Sequence, residues 1–280
     1  MKEINVAEIT STIKDLCIKA NCHLSQDMKH AIQQARQNEQ SEAGKSTLDQ
    51  IIQNYQIASE ENIAICQDTG MTVVFIEIGQ EVHFTGGNLE DAINEGVRQG
   101  YKEGYFRKSV VGDPINRKNT GDNTPAVIHY SIISGDKIKI LAVPKGFGSE
   151  NMSALRMLKP SDGVEGVINF VVETVEKAGP NPCPPIVVGV GIGGTMEKAA
   201  LLAKKALLRP VDAKNTREDL NQLEGQLLEK INRLGIGPLG LGGRVTALKV
   251  NIETYATHIA GLPVAVNINC HVTRHAEGVI

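Results

Sequence analysis

The sequence PPIVVGVGIGGT, residues 184–195, contains the change of pattern on which the fold prediction rests. Its first part, from Pro185 to Val190, is an apolar, β-branched run that predicts a buried strand. Thr195 is a good N-cap residue, and it begins a predicted helix that extends to about Leu208. A strand that passes directly into a helix predicts a domain in which helices pack on a sheet.

The glycines of this segment, from Gly189 to Gly194, also match the pattern G-x-G-x-x-G that opens many dinucleotide-binding units. A nicotinamide-dependent oxidoreductase is therefore one alternative. The unit lacks a clear second strand ending in an acidic residue about 20 residues further on, because Asp212 follows too short a segment. Two other interpretations of the glycines are close packing of a helix on a strand, or a helix N-terminus at Thr195 that faces a substrate carboxylate or a cluster.

Outward from this segment, the pattern predicts a single domain over residues 1–280 with an α+β fold, in which many helices surround a mixed β-sheet. Residues 1–60 have apolar positions at helical spacing and are predicted to form helices that pack on the α/β core. Ala126 to Ile133 and Lys137 to Val143 are predicted to form a hairpin. The other main predicted elements are strands at Met71 to Ile78, Val245 to Ile252 and Leu262 to Ile268, and helices at Leu89 to Gly104, Asp162 to Lys177 and Asn215 to Leu234.

The composition argues against several classes of function. The 280 residues include 29 Lys and Arg against 32 Asp and Glu, and a net charge of −3 does not suit a nucleic-acid surface or a polybasic membrane anchor. Aromatic residues make up only 4%, which argues against base-stacking platforms. The chain does not open on a signal peptide, and no apolar run is long enough to span a membrane. We expect a cytoplasmic protein with no nucleic-acid or membrane partner.

Three of the five cysteines, Cys66, Cys183 and Cys270, lie at strand edges or in stiff turns beside Pro, Gly or polar residues. Cys17 lies within an apolar run and is predicted to pack in the core, while Cys22 belongs to no motif. A [4Fe–4S] cluster usually takes four thiolates, so three from separate loops would leave one iron with an open position. Spacing alone favours the alternative of three unrelated cysteines, because no C-x-x-C or other local metal motif occurs.

Several polar groups accompany these cysteines. Asp68 follows Cys66 by two residues, and Arg107 could hold a substrate carboxylate through two hydrogen bonds. The segment Lys145 to Asn151 follows a predicted strand, and its backbone N–H groups could bind an anion. His258 lies among small and apolar residues, so it is either a functional histidine or a satisfied core residue.

Six motifs, in this order along nearly the whole chain, resemble the α subunit of the two-subunit class I fumarate hydratases, which are iron–sulfur hydro-lyases, and the related L-tartrate dehydratase α subunit. These motifs are ICQDTG at 65–70, NTGDNTPA at 119–126, PKGFGSEN at 144–151, NPCPP at 181–185, GIGGT at 191–195 and THIAGLP at 257–263. Their common order makes the resemblance specific, and it favours the cluster over three unrelated cysteines.

The resemblance implies a [4Fe–4S] cluster with one open iron, and it implies roles for eight residues. The three cluster ligands would be Cys66, Cys183 and Cys270. The three substrate-binding residues would be Gln67, Arg107 and Gly148, and the two catalytic residues would be Asp68 and His258. The open iron would bind the substrate hydroxyl, and Asp68 would be the acid–base partner of the leaving group. One departure from many relatives is His271, which stands where an aromatic residue is expected.

The resemblance also implies the reaction and the partners. The reaction would be the reversible interconversion of fumarate and L-malate, a step of the citric acid cycle, by an oxygen-sensitive enzyme. A separate β subunit would supply the rest of the active site in a hetero-oligomer, and this chain alone would be nearly inactive. The alternatives are L-tartrate or another small 2-hydroxy diacid as the substrate, and a non-catalytic iron–sulfur scaffold or assembly partner.

Overall fold

A computed structural model describes residues 2–280 and has the predicted α+β composition. The α-helices are α1 Val6–Cys22, α2 Gln26–Asn38, α3 Glu42–Glu61, α4 Leu89–Glu103, α5 Phe147–Glu150, α6 Gly163–Ala178, α7 Met196–Ala206 and α8 Glu218–Asn232. The strands are β1 Lys2–Asn5, β2 Met71–Gly79, β3 Val82–Thr85, β4 Val127–Ile133, β5 Ile138–Lys145, β6 Ala154–Leu158, β7 Ile186–Gly193, β8 Ala247–Tyr255, β9 Leu262–Asn269 and β10 Ala276–Val279. They form three sheets, whereas the sequence predicted one.

The tertiary contacts fall into two compact units. Unit 1 comprises the described residues up to Ser25, Asn54–Phe147 and Arg274–Ile280, and unit 2 comprises Gln26–Gln53 and Gly148–Thr273. Each unit has its own apolar core. That residues 1–280 form one domain remains a prediction. Among residues 2–280, no helix combines the length and the apolar character needed to cross a membrane.

Unit 1 is built on a mixed sheet with the strand order β10-β5-β2-β4. Strand β2 is apolar on both faces, because Val74 and Ile76 are fully buried on one side and Val73 and Phe75 are buried on the other. A strand with two buried faces belongs in the middle of a sheet. Helices α1 and α4 pack closely, since a Cβ at Gly96 would lie 2.6 Å from a backbone oxygen of α1.

The predicted hairpin between β4 and β5 is wrong. Strand β2 lies between them, parallel to β4 and antiparallel to β5. Their short connection crosses the end of β2, where Gly79 donates a hydrogen bond to the Lys137 carbonyl at 2.9 Å. A Cβ at Gly79 would lie 2.4 Å from the Gly135 oxygen, so the crossing requires glycine. The predicted turn is present, but the two buried faces of β2 decide which strands pair.

Unit 2 is built on a second mixed sheet with the order β6-β9-β7-β8. Strand β7, which the sequence predicted as a buried strand, is parallel to β8 and antiparallel to β9. Helix α7 packs directly on β7 at two glycines: a Cβ at Gly189 would lie 2.1 Å from the Ala203 oxygen, and one at Gly191 would lie 2.1 Å from the Ala199 oxygen. Close helix–strand packing therefore accounts for these glycines.

Candidate functional site

The loop Cys66–Gly70, which we call the CQDTG loop, connects α3 to β2 in unit 1 and is the centre of the candidate site. Asp68 is held by backbone donors: Oδ2 accepts from the Phe147 nitrogen at 2.8 Å, and Oδ1 accepts from the Gly70 nitrogen at 3.1 Å. The Asp68 nitrogen in turn donates to the Cys66 Sγ at 3.4 Å. The Cys66 sulfur therefore accepts a hydrogen bond from the backbone of its own loop.

Buried side chains hold the carbonyl groups of the CQDTG loop. The Tyr101 hydroxyl donates to the Thr69 carbonyl at 2.5 Å, and the Asn123 amide donates to the Gly70 carbonyl at 3.1 Å. Burial raises the pKa of Tyr101 well above its usual range, so the hydroxyl keeps its proton and remains a donor. Arg274 donates from Nη2 to the Asp68 carbonyl. These hydrogen bonds therefore fix the backbone of the CQDTG loop, which carries Cys66 and Asp68.

The structure brings four of the predicted site residues to this loop or beside it. Cys66 and Asp68 are half-buried, while Gln67 is exposed and its Oε1 lies 3.4 Å from the Cys66 Sγ. Arg107 is exposed, and its carbonyl accepts a hydrogen bond from Thr69 Oγ1 at 2.9 Å. The Arg107 backbone is thus tied to the loop while its guanidinium remains accessible to a ligand.

In the predicted anion-binding segment, Lys145 to Asn151, the anion that the backbone binds is a side chain of this protein, the Asp68 carboxylate. Its Phe147 N–H is used by the Asp68 carboxylate, and a Cβ at Gly146 would lie 3.1 Å from Asp68 Oδ2. Gly148, which belongs to unit 2, has no close neighbour that excludes a side chain, since its nearest such atom is the Asn181 oxygen at 3.8 Å. Local packing therefore does not explain glycine at 148.

Cys183 and Cys270 lie at one end of the unit 2 sheet. Cys183 is exposed in the turn before β7, and Cys270 is half-buried directly after β9. Because β7 and β9 are antiparallel, with Val187 opposite Asn269, the beginning of one strand meets the end of the other. The His271 ring Nδ1 lies 2.9 Å from the Cys183 carbonyl and joins the two cysteine segments.

His258 lies in the tight connection between β8 and β9 and is exposed, so its interpretation as a core histidine is wrong. Its Nδ1 accepts a hydrogen bond from the Ala260 nitrogen at 3.2 Å, and its carbonyl accepts from the Gly261 nitrogen at 2.9 Å. With Nδ1 as an acceptor, the proton of the neutral ring is on Nε2, which is the nitrogen available to a ligand.

The cysteines divide into two groups that differ in burial. Cys17 and Cys22 are buried, and burial raises the pKa of both thiols, that of Cys17 to about 12. The other three are partly or fully exposed, and none of the five forms a disulfide. Within residues 2–280, no group of three or more His, Cys, Asp and Glu side chains is placed so that it could hold a metal ion.

Sequence reasoning missed the residues that support the CQDTG loop. Tyr101 appeared only as part of a helix, Asn123 only as part of a motif, and Arg274 not at all. These residues act through contacts across 31 to 206 positions of the chain, for which a single sequence gives no spacing signal.

Comparison with known proteins agrees with these motifs. A family model described as fumarate hydratase (fumerase) matches residues 10–279. A protein of Methanocaldococcus jannaschii named "Putative L(+)-tartrate dehydratase subunit alpha" is 46% identical over 275 residues, which cover 96% of each chain. An L(+)-tartrate dehydratase subunit alpha of Escherichia coli strain UTI89 is 33% identical over 98% of this chain and 91% of its own, and one of Shigella sonnei has the same identity and coverage.

Proposed function

Because this chain belongs to the fumarate hydratase (fumerase) family and is a hydro-lyase, we propose that it is the cluster-bearing α subunit of an enzyme that adds water to fumarate and removes it from L-malate. The observation that carries the proposal is the CQDTG loop, in which a thiol and a carboxylate are held two residues apart on a fixed backbone.

We propose that Cys66, Cys183 and Cys270 hold a [4Fe–4S] cluster, because they are the accessible thiols of the chain. When bound, such a cluster with one open iron supplies a Lewis acid that polarises the substrate hydroxyl, a poor leaving group. Cys17 and Cys22 do not take part, since burial keeps both thiols protonated.

The other residues of the site position the substrate and move a proton. Asp68 is the proposed acid–base partner of the hydroxyl, and two backbone N–H groups fix its orientation. Arg107 and Gln67 are exposed beside it and bind the carboxylates of the substrate. At Gly148 the missing side chain leaves room for the substrate to approach the backbone, and His258 is the proposed second catalytic residue.

The proposal includes a second polypeptide. The relatives are named as subunits alpha, which supports a separate β subunit that completes the site in a hetero-oligomer. Accessible thiols of this kind persist in a reducing compartment, so we propose a cytoplasmic location and an oxygen-sensitive enzyme. The citric acid cycle is the proposed metabolic setting if L-malate is the substrate.

The names of the relatives favour L(+)-tartrate as a second candidate substrate. Tartrate differs from malate by one additional hydroxyl group, so both fit a site built for a small 2-hydroxy dicarboxylate. A group that hydrogen-bonds the additional hydroxyl discriminates strongly, because it is left unpaired when malate binds. The decisive experiment measures kcat/KM for L-malate and L(+)-tartrate with the anaerobically purified αβ complex; turnover of neither diacid would contradict the proposal.

The nicotinamide-dependent oxidoreductase is disfavoured, because close packing accounts for Gly189 and Gly191. Titration of the complex with NADH checks this alternative, and saturable binding would revive it. The non-catalytic scaffold predicts a cluster that does not respond to any diacid, so the same substrate assays separate it from a hydro-lyase.

A further inference from the structure

Arg274 is a buried cation without a carboxylate partner. Arg274 is only 4% exposed, and its guanidinium forms no ion pair with any of residues 2–280. Buried arginines are nearly always paired, because removing a charge from water is costly. The absence of a partner for this arginine therefore points to a group that binds beside it.

The guanidinium makes two contacts and leaves one nitrogen unused. Nη2 donates to the Asp68 carbonyl and Nε donates to the Pro144 carbonyl at 3.3 Å. Nη1 is buried and has no hydrogen-bond partner among the described residues. Both acceptors belong to the framework of the site, since Asp68 lies in the CQDTG loop and Pro144 lies near the end of β5, three residues before Phe147.

We infer that Arg274 is a positioning residue that fixes the CQDTG loop through two carbonyl groups and directs its remaining donor, Nη1, to an anionic group bound at that loop. The planar fork of arginine suits this task, because one cation can donate in several fixed directions at once. A lysine would keep the charge but could not hold both carbonyls in the same geometry.

The proposed function includes two anionic groups that can accept a hydrogen bond from Nη1. The identity of the anion therefore rests on the proposed function. One is the cluster with its three thiolates, which carries net negative charge, and the other is a carboxylate of the substrate. In the first case Arg274 stabilises the more negative, reduced form of the cluster. In the second case it lowers the KM of the diacid.

The first experiment does not depend on the cluster. Hydrogen–deuterium exchange is measured on the metal-free αβ complex with Arg274→Gln, Arg274→Lys, and the control Arg233→Gln, which removes an arginine whose side chain is 74% exposed. We expect the amides of the CQDTG loop to exchange about tenfold faster or more in both Arg274 variants, and at the original rate in the control. If Arg274→Gln does not accumulate, Arg274→Lys decides the same point.

The second experiment identifies the anion in the reconstituted complex. If the anion is the cluster, the midpoint potential of the cluster is lower in Arg274→Gln than in the wild type and close to the wild-type value in Arg274→Lys, while the KM for L-malate stays constant. If it is the substrate, the KM rises by about tenfold to a hundredfold in Arg274→Gln and the potential stays constant. The inference would be overturned if the amide exchange rates, the midpoint potential and the KM of both variants were all the same as those of the wild type. A wild-type complex without cluster or turnover would instead overturn the proposed function, while the exchange experiment would still test Arg274.

Discussion

The Asp68 Oδ2 lies 2.8 Å from the backbone nitrogen of Phe147, a residue 79 positions further along the chain. This contact attaches the Asp68 side chain to the first residue of α5, two residues after the end of β5, which is the strand beside β2. The carboxylate is therefore fixed by the sheet rather than by the loop alone. A fixed carboxylate loses little entropy when it transfers a proton to or from a bound substrate.

Replacement of Asp68 by Asn should remove activity and preserve the fold. Asn can accept one of the two backbone hydrogen bonds but cannot exchange a proton, so kcat should fall by about 10²- to 10⁴-fold. The matched control is Asp113→Asn, because Asp113 also accepts from two backbone nitrogens but lies in an exposed loop. Equal kcat values for the Asp68 variant and the wild type would exclude Asp68 from catalysis.

The five thiols should differ in reactivity in the metal-free protein. Iodoacetamide at pH 8 should modify Cys66, Cys183 and Cys270 quickly, because they are accessible. Cys17 should remain unmodified, since it is buried and its pKa of about 12 keeps it protonated. Mass spectrometry of the digested protein gives the result, and labelling in urea, which should modify all five, is the control. Fast native labelling of Cys17 would contradict the division into two groups.

The glycines of β7 should be required for packing. A Cβ at Gly191 meets the Ala199 oxygen at 2.1 Å, so Gly191→Ala should destabilise the protein by about 3 kcal/mol. At Gly225 in α8 an added Cβ would have no neighbouring atom within 4 Å, and Gly225→Ala should stabilise the protein by about 0.5–1 kcal/mol. Urea unfolding of both variants measures the difference. A neutral Gly191→Ala would leave the close helix–strand packing without support.

Asp122 should contribute stability that depends on pH. Burial alone would raise the pKa of Asp122, but hydrogen bonds from Arg98 and Thr124 outweigh burial and lower the pKa to about 2. A group whose pKa is lower in the folded state stabilises the protein above its unfolded pKa of about 3.8 and loses this contribution as the pH falls through about 2.

Asp122→Asn should therefore destabilise the protein at pH 7 by about 1 kcal/mol, a value reduced for the partial exposure of the pair. The difference between variant and wild type should shrink between pH 4 and pH 2, as measured by urea unfolding across that range. A difference that is independent of pH would show that the charge of Asp122 is not responsible.

Local patterns predicted the parts of this fold that local physics decides. Strand β7 and the helices α4 and α8 all begin and end within three residues of their predicted bounds. The short strands β1, β3, β6 and β10 were missed, since four or five residues carry too little periodicity to recognise. The β4–β5 pairing was wrong because strand order depends on the burial of β2, which is a tertiary property.

The candidate site was predicted only in part, because several of its contacts also depend on the tertiary fold. Motif resemblance identified Cys66 and Asp68, and the structure then showed what holds them. The Phe147 nitrogen and the Arg274 guanidinium reach the loop from positions 79 and 206 residues away in the sequence. Contacts at such distances depend on the tertiary fold. The sequence predicted that backbone N–H groups of Lys145 to Asn151 bind an anion, but not that this anion is Asp68, and it assigned no role to Arg274.

The central claim, that three of the five thiols hold a substrate-responsive cluster, is tested most directly by electron paramagnetic resonance of the anaerobically reconstituted and reduced αβ complex, with and without L-malate or L(+)-tartrate. We expect a [4Fe–4S] signal that one of these diacids changes, that is lost in Cys66→Ala, Cys183→Ala and Cys270→Ala, and that persists in Cys22→Ala. A signal that survives all three substitutions, or that neither diacid alters, would contradict the account.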